Sequence, residues 1–190
     1  MPIVELHILA GYGAPEKARL GRALTDAVRL VVPAAPEAIT VMMHEMAPDA
    51  YMRGGVHRTP APALPDPAAL VRAYLAAMEA RDPPAARAML ATDFVMIFPG
   101  GREMRGLEEL IEWAAPRYRF VAKTYDGVEA FQGETAAVVF ARGTLAGEWP
   151  DGTPFHGIRF IDRFEVSGGL IARQEVWNDI AETRSMETPA

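Results

Sequence analysis

The sequence predicts an α+β protein in two units, a small β-α-β unit followed by a larger one in which helices precede a meander of strands. Three observations carry this expectation. Four prolines fall within the nine residues from Thr59 to Pro67, a stiff, extended stretch without helical or strand period. The residues before it read strand, helix, strand, and those after Leu107 read mainly as strands joined by hairpin-type turns. The boundaries that follow are 1–58 for the first domain, 59–65 for the linker, 66–182 for the second domain and 183–190 for a tail.

In the first unit, Val4, Leu6 and Ile8 alternate with Glu5 and His7, the period of a strand with one buried face. Gly11 and Gly13 end it. Pro15 suits the first turn of a helix, and Leu20, Leu24, Ala27, Val28 and Val31 follow at helical spacing until Pro33 and Pro36. A second strand is expected from Ile39 to Met46, and strand-helix-strand order favours a parallel pair. Gly54-Gly55 then permits a tight hairpin.

In the second unit, Asp66 is placed to cap a helix starting at Pro67, with Leu70, Val71, Tyr74, Leu75 and Met78 as its buried stripe. Asp82-Pro83 repeats that signal for a short helix ending near Leu90. An apolar strand, Phe94 to Phe98, leads to a third helix from Leu107 to Ala114. Four strands are expected near Tyr118–Phe131, Thr135–Ala146, Phe155–Val166 and Leu170–Asn178. Their connections, Gln132-Gly133, Pro150-Asp151-Gly152 and Ser167-Gly168-Gly169, carry turn residues. Helices first and a meander afterwards suggest a curved sheet closing over helices.

Composition narrows the function classes. The chain has 190 residues, 19 Lys and Arg against 25 Asp and Glu, and a net charge of −6. With no basic block to read phosphates, nucleic acid is not an expected partner. The absence of cysteine excludes thiolate chemistry and fits a cytoplasmic home. No apolar run is long enough to cross a bilayer and no signal-peptide pattern opens the chain, so no membrane partner is expected. His7, His44, His57 and His156 form no ligand-spaced pair, and no phosphate-cradling Gly motif precedes a helix. Neither a metal nor an organic cofactor is expected.

Two places stand out chemically. The chain begins Met1-Pro2. Removal of the methionine leaves a secondary amine, and an α-amino group ionises at roughly 7.7 to 8.0, close enough to neutrality to shuttle protons. The ordinary alternative is a proline on a strand edge. The second is Asp162, which shares a strand face with His156, Ile158, Phe160, Phe164 and Val166, opposite Arg159, Arg163 and Glu165. Desolvation of a carboxyl in an apolar row raises its pKa, and a neutral carboxylic acid can donate to a developing oxyanion. His156 is the other candidate base on that face. Pairing of Asp162 with a nearby Arg or backbone amide is an equal alternative. Trp113 and Trp177 are candidate walls for a flat carbonyl compound, or ordinary core residues.

Residues 2–58, through Pro2–Leu9, the helix beginning near Pro15-Glu16-Lys17, Ile39–Met46 and Gly54-Gly55, resemble the 4-oxalocrotonate tautomerase family. The resemblance implies a β-α-β subunit that assembles into homo-oligomers, with Pro2 as a general base moving a proton on an enol. It also implies a substrate site near Tyr12, Thr40 and Tyr51. Tyr12 and Thr40 stand where well-known members carry substrate-gripping arginines, and Tyr51 where they carry an aromatic wall. Arg53 and Arg58, flanking the glycines, are candidates to replace in part the missing arginines, or else solvated surface charges. Without two guanidinium forks a dicarboxylate substrate is disfavoured.

Residues from Asp66 to Ile180, through Leu70–Tyr74 and Phe160-Ile161-Asp162 to Trp177-Asn178, resemble SnoaL-like polyketide cyclases and ketosteroid isomerases of the nuclear-transport-factor-2-like superfamily. This implies a cone of three helices on a curved, mostly antiparallel sheet with an internal ligand pocket. It also implies an oxyanion-binding role for Tyr74 and Asp162. The strand Phe94–Phe98 carries no acid where a ketosteroid isomerase has its base. The combined expectation is an isomerase acting on a small enolisable carbonyl compound. The alternatives are a ligand-binding protein with an oligomerisation module, and a cyclase working through the second domain alone.

Overall fold

A computed structural model describes residues 1–186. The chain divides into two compact units, Met1–Ala63 and Leu64–Ala190.

In unit 1, β1 (Ile3–Leu9) and β2 (Thr40–Met46) form a two-stranded parallel sheet, with Ile3 opposite Thr40 and Leu9 opposite Met46. Val4, Leu6 and Ile8 are half-buried while Glu5 and His7 are exposed, as the alternation requires. Between them runs α1 (Ala14–Arg29), with Pro15 in its first turn, where the missing N–H costs nothing. A short 3₁₀ turn at Pro36–Ala38 leads into β2. The strands β3 (Met52–Arg53) and β4 (Val56–His57) pair as a hairpin. Its turn residues, Gly54 and Gly55, have φ of 58° and 76°, a conformation that disfavours side chains with a Cβ. No residue of unit 1 is fully buried, as expected of one helix on a two-stranded sheet with a two-residue-strand hairpin, which is too little structure to enclose a core.

Unit 2 begins with α2 (Pro67–Glu79), whose first turn is capped by Asp66 accepting from the Ala68 and Ala69 amides at 2.9 and 3.3 Å. Val71, Tyr74 and Leu75 are its buried residues. Asp82 caps α3 (Pro83–Arg87) through the Ala85 amide at 3.1 Å. Then follow β5 (Leu90–Phe98), β6 (Arg102–Met104), α4 (Leu107–Ala114), β7 (Phe120–Gln132), β8 (Ala137–Glu148), β9 (Pro154–Ser167), β10 (Leu170–Asn178) and α5 (Ile180–Met186). The strands order as β6-β5-β10-β9-β8-β7, with β5 and β10 parallel and the other pairs antiparallel. This is a mixed α+β fold with a curved sheet. Val71, Tyr74, Met96, Val139, Phe164 and Ile171 anchor one core, and Leu145, Trp149, Phe155, Ile158 and Phe160 a second.

Glycine allows close approach in the sheet, at Gly143 and again at Gly147. A Cβ on Gly143 would sit 1.9 Å from the Thr124 carbonyl oxygen, so only a bare Cα lets β7 lie so near β8.

Several expectations require correction. The helix expected to end near Leu90 stops at Arg87, and the strand expected at Phe94 starts at Leu90 and includes exposed Asp93. β6 was not anticipated. Helix α5 occupies part of the expected tail 183–190, whose residues 187–190 lie outside the described residues. The largest departure is in β9, where the predicted inner face fails at its start. His156 and Gly157 stand opposite the single Ala146, a β-bulge in which Gly157 takes φ of 73°. The extra residue flips the pleat. Phe155 turns inward and His156 becomes exposed, while Ile158, Phe160, Asp162, Phe164 and Val166 keep the expected inner face.

Candidate functional site

A cavity of about 770 Å³ opens within unit 2, walled by α2, α4, β7, β9 and β10. Most of its lining is apolar: Leu75, Met78, Phe98, Leu110, Val121, Leu145, Phe160 and Val176 contribute. Against these stand a few polar side chains, the composition expected of a small-molecule site.

Asp162 is the centre of that polar group. It is fully buried, and its Oδ2 accepts from the Lys123 ammonium on β7. Its Oδ1 has no hydrogen-bond partner, an uncommon state for a buried carboxylate oxygen. Burial pushes its pKa above the ordinary carboxylate range, and the Lys123 charge opposes that rise without cancelling it. The Lys123 nitrogen also lies 4.5 Å from the centroid of the Phe160 ring, a cation–π contact.

Tyr74, on α2, donates to Gln174 Oε1 on β10 at 3.2 Å. Burial, reinforced by the negative charge of Asp162, raises its pKa, so the hydroxyl keeps its proton. Tyr125 packs edge-on against Phe160 with centroids 5.9 Å apart. Its pKa is pushed up to about 12 by burial first, then by Asp162 and Glu79, with Arg72 opposing.

Of the residues expected at this site, Tyr74 and Asp162 share the cavity wall; Tyr74 donates to Gln174 and Asp162 pairs with Lys123. Trp113 does not line the cavity. It packs at 5.1 Å against Phe98, which does, and carries the Arg117 guanidinium on its ring. Trp177 is 51% exposed on the outer sheet face, opposite Ile161. His156 lies outside for the reason given above. Lys123 and Gln174 were not anticipated. For Gln174 the signal was present, because Gln174 and Val176 form a polar-apolar inward pair beside outward Arg173, Glu175 and Trp177, the same pattern that singled out Asp162. Lys123 has no such mark, since an isolated Lys in a strand reads as a surface charge.

In unit 1 the expected residues are spread out. Pro2 precedes β1 and its carbonyl accepts from the Thr40 amide at 3.1 Å. Tyr12 follows the far end of β1, and Tyr51 and Arg53 follow the far end of the parallel β2. A strand of this length spans about 20 Å. Arg53 donates to the Tyr51 hydroxyl at 3.4 Å. Among the described residues no hydrogen bond joins Pro2 to Tyr12, Tyr51 or Arg53.

Among the described residues no three His, Asp or Glu side chains gather to hold a metal ion, and no helix is long and apolar enough to cross a membrane.

Comparison with known proteins finds matches to both units. A family model described as a SnoaL-like domain matches residues 71–174, and one described as a tautomerase enzyme matches residues 2–59. Among solved structures, an NTF2-like protein of unknown function from Burkholderia pseudomallei is 21% identical with a TM-score of 0.53, the match covering 64% of this chain and 96% of that one. An NTF2-like protein from Burkholderia thailandensis is 19% identical with a TM-score of 0.55, over 66% and 100% of the two chains. A putative polyketide cyclase from Xanthomonas campestris pv. campestris is 20% identical with a TM-score of 0.51, over 62% and 93%. At these identities the likeness is one of fold. Among curated proteins, none matches the chain.

Proposed function

The chain belongs to the SnoaL-like domain family, and from that membership we propose an isomerase that moves a proton on a small enolisable carbonyl compound held in the cavity of unit 2. The observation that carries this reading is the unpartnered, buried Oδ1 of Asp162, a residue that lines a largely apolar cavity. Pairing with Lys123 favours the ionised form needed to accept a proton, while burial raises the basicity of that form. A carboxyl tuned upward in this way is suited to general acid–base work.

The step is a proton transfer that returns what it takes. Asp162 Oδ1 accepts the proton from the carbon next to the substrate carbonyl, the C–H electron pair moves into the carbon–carbon bond, and an enolate forms. Asp162 then delivers the proton to another carbon. Tyr74 fixes Gln174, and the apolar wall keeps bulk water from the enolate.

A second reading is favoured by the tautomerase match over residues 2–59. In it, Met1 is removed and the Pro2 amine is the base, in a site completed by Tyr12, Tyr51 or Arg53 of another copy, because one copy sets these residues at the other end of its strands from Pro2. Homo-oligomer formation belongs to this reading. The lack of any fully buried residue in unit 1 supports it.

One experiment separates the two. Ketonisation of phenylenolpyruvate by the full chain is followed for Asp162→Asn and Pro2→Ala, with an intact mass to establish the first residue. The cavity reading expects Asp162→Asn to slow turnover by about 10²–10⁴-fold and Pro2→Ala to leave it unchanged. The converse result, with a mass beginning at Pro2, transfers the chemistry to unit 1. Unchanged rates in both variants overturn both assignments.

A further inference from the structure

Lys123 and Asp162 leave unused hydrogen-bonding capacity side by side. An ammonium has three N–H donors. One is given to Asp162 Oδ2, the nitrogen also faces the Phe160 ring, and no second acceptor takes a proton from it among the described residues. The Asp162 Oδ1 acceptor is empty as well. The Lys123 side chain is 22% exposed, so its charge is partly withdrawn from water, and hydrogen bonds at such a site are stronger than at the surface.

The other charged groups lining the cavity are engaged elsewhere or carry the wrong sign, and Tyr118 and Tyr125 line it as neutral hydroxyls without a charge to pair with an anion. Tyr74 donates to Gln174, and Arg81 donates to the Arg119 carbonyl. Arg119 pairs with Glu148. Tyr125 keeps its proton, and Glu79 repels an anion.

We propose that Lys123 is the oxyanion-binding group of this cavity and that, with Asp162 beside it, it selects enols and phenols in which an ionised oxygen lies next to a second hydrogen-bond donor. The ligand oxygen accepts from the free N–H of Lys123, and the neighbouring O–H donates to Asp162 Oδ1. The ion pair holds the ammonium at the wall, so little rotamer freedom remains to be lost when the ligand arrives. In the isomerase reading, on which the functional significance of this site rests, the same ammonium receives the enolate oxygen while Asp162 holds the abstracted proton, and the charges balance: one proton moves to Asp162 and one negative charge moves onto the oxygen beside Lys123.

The test is direct binding of coloured probes to the full chain at a mildly acidic pH, where free 4-nitrophenol and 4-nitrocatechol are mostly protonated. The wild type is expected to bind both as their yellow anions. Binding of 4-nitrocatechol, which carries a hydroxyl beside the ionised oxygen, is expected to be about tenfold tighter than that of 4-nitrophenol, corresponding to one good hydrogen bond to a charged group. Lys123→Met is expected to lose the anion colour of the bound probe, with Lys123→Arg retaining it, and Asp162→Asn to lose the catechol preference. If Lys123→Met does not fold, the double variant Lys123→Met/Asp162→Asn, which removes both charges, carries the same comparison. Anion binding that survives loss of Lys123, or wild-type binding only of the neutral phenol or of neither probe, overturns the proposal. Enol ketonisation plays no part in this readout, so failure of the isomerase reading and failure of the oxyanion site are told apart.

Discussion

The two units place their charges differently. In unit 1 the Lys17–Glu45 pair lies at 2.9 Å between side chains that are 32% and 39% exposed. In unit 2 the Lys123–Asp162 pair has one member 22% exposed and the other not exposed at all. Water screens the first and competes for both partners, so its net contribution is small. The second is held in a site where an uncompensated charge is expensive. The same contrast governs their candidate sites. Unit 2 has enough strands to enclose its polar group within one chain, whereas the two-stranded parallel sheet of unit 1 leaves Pro2 at one end and Tyr12 at the other.

The largest expected effect comes from breaking the buried pair. Lys123→Met is expected to lower unfolding free energy by about 3–5 kcal/mol near neutral pH, measured by urea denaturation, while Lys17→Ala changes it by no more than about 1 kcal/mol. Equal losses would erase the distinction between the units. The pH dependence sharpens it. Asp162 has a pKa raised in the folded state, so the folded chain binds its proton more tightly than the unfolded chain does. The stability linked to it is complete below the unfolded value of about 3.9 and is lost as pH rises through the folded value. Relative to Asp162→Asn, the wild type is expected to lose stability as pH rises from about 4, and parallel curves for the two proteins would refute this. The smallest effect belongs to unit 1. Gly21 lies inside α1, and a Cβ there would meet only the flexible Met43 Cε at 3.4 Å. Gly21→Ala is therefore expected to stabilise unit 1 by about 0.5–1 kcal/mol, seen as a small rise in its melting temperature.

Much of the fold was legible because local patterns and tertiary demands agree. The Asp66 and Asp82 caps, each before a proline, started helices where expected. Gly54-Gly55 made its hairpin, and the row from Ile158 to Val166 kept its buried face. The sites were less legible. His156 was misplaced because a bulge depends on how two strands are matched, and nothing in one strand's alternation shows an extra residue opposite its neighbour. Trp113 and Trp177 were candidates because aromatics often line pockets, yet one packs behind Phe98 and the other faces outward. Lys123 was missed because its partner is 39 residues away on a strand to which its own is not paired.

By itself the sequence determined the two-unit plan, the order of elements apart from β6 and α5, the parallel pair of unit 1, the meander of unit 2 and the burial of Asp162, because each follows from short-range period, turn chemistry and proline placement. Only the tertiary structure decided what Asp162 meets. Curvature of the sheet, with Gly143 allowing β7 to lie against β8, brings a lysine from β7 over to a carboxylate on β9. Such a contact depends on how strands bend and stack across one another, and no periodicity along a single strand encodes it.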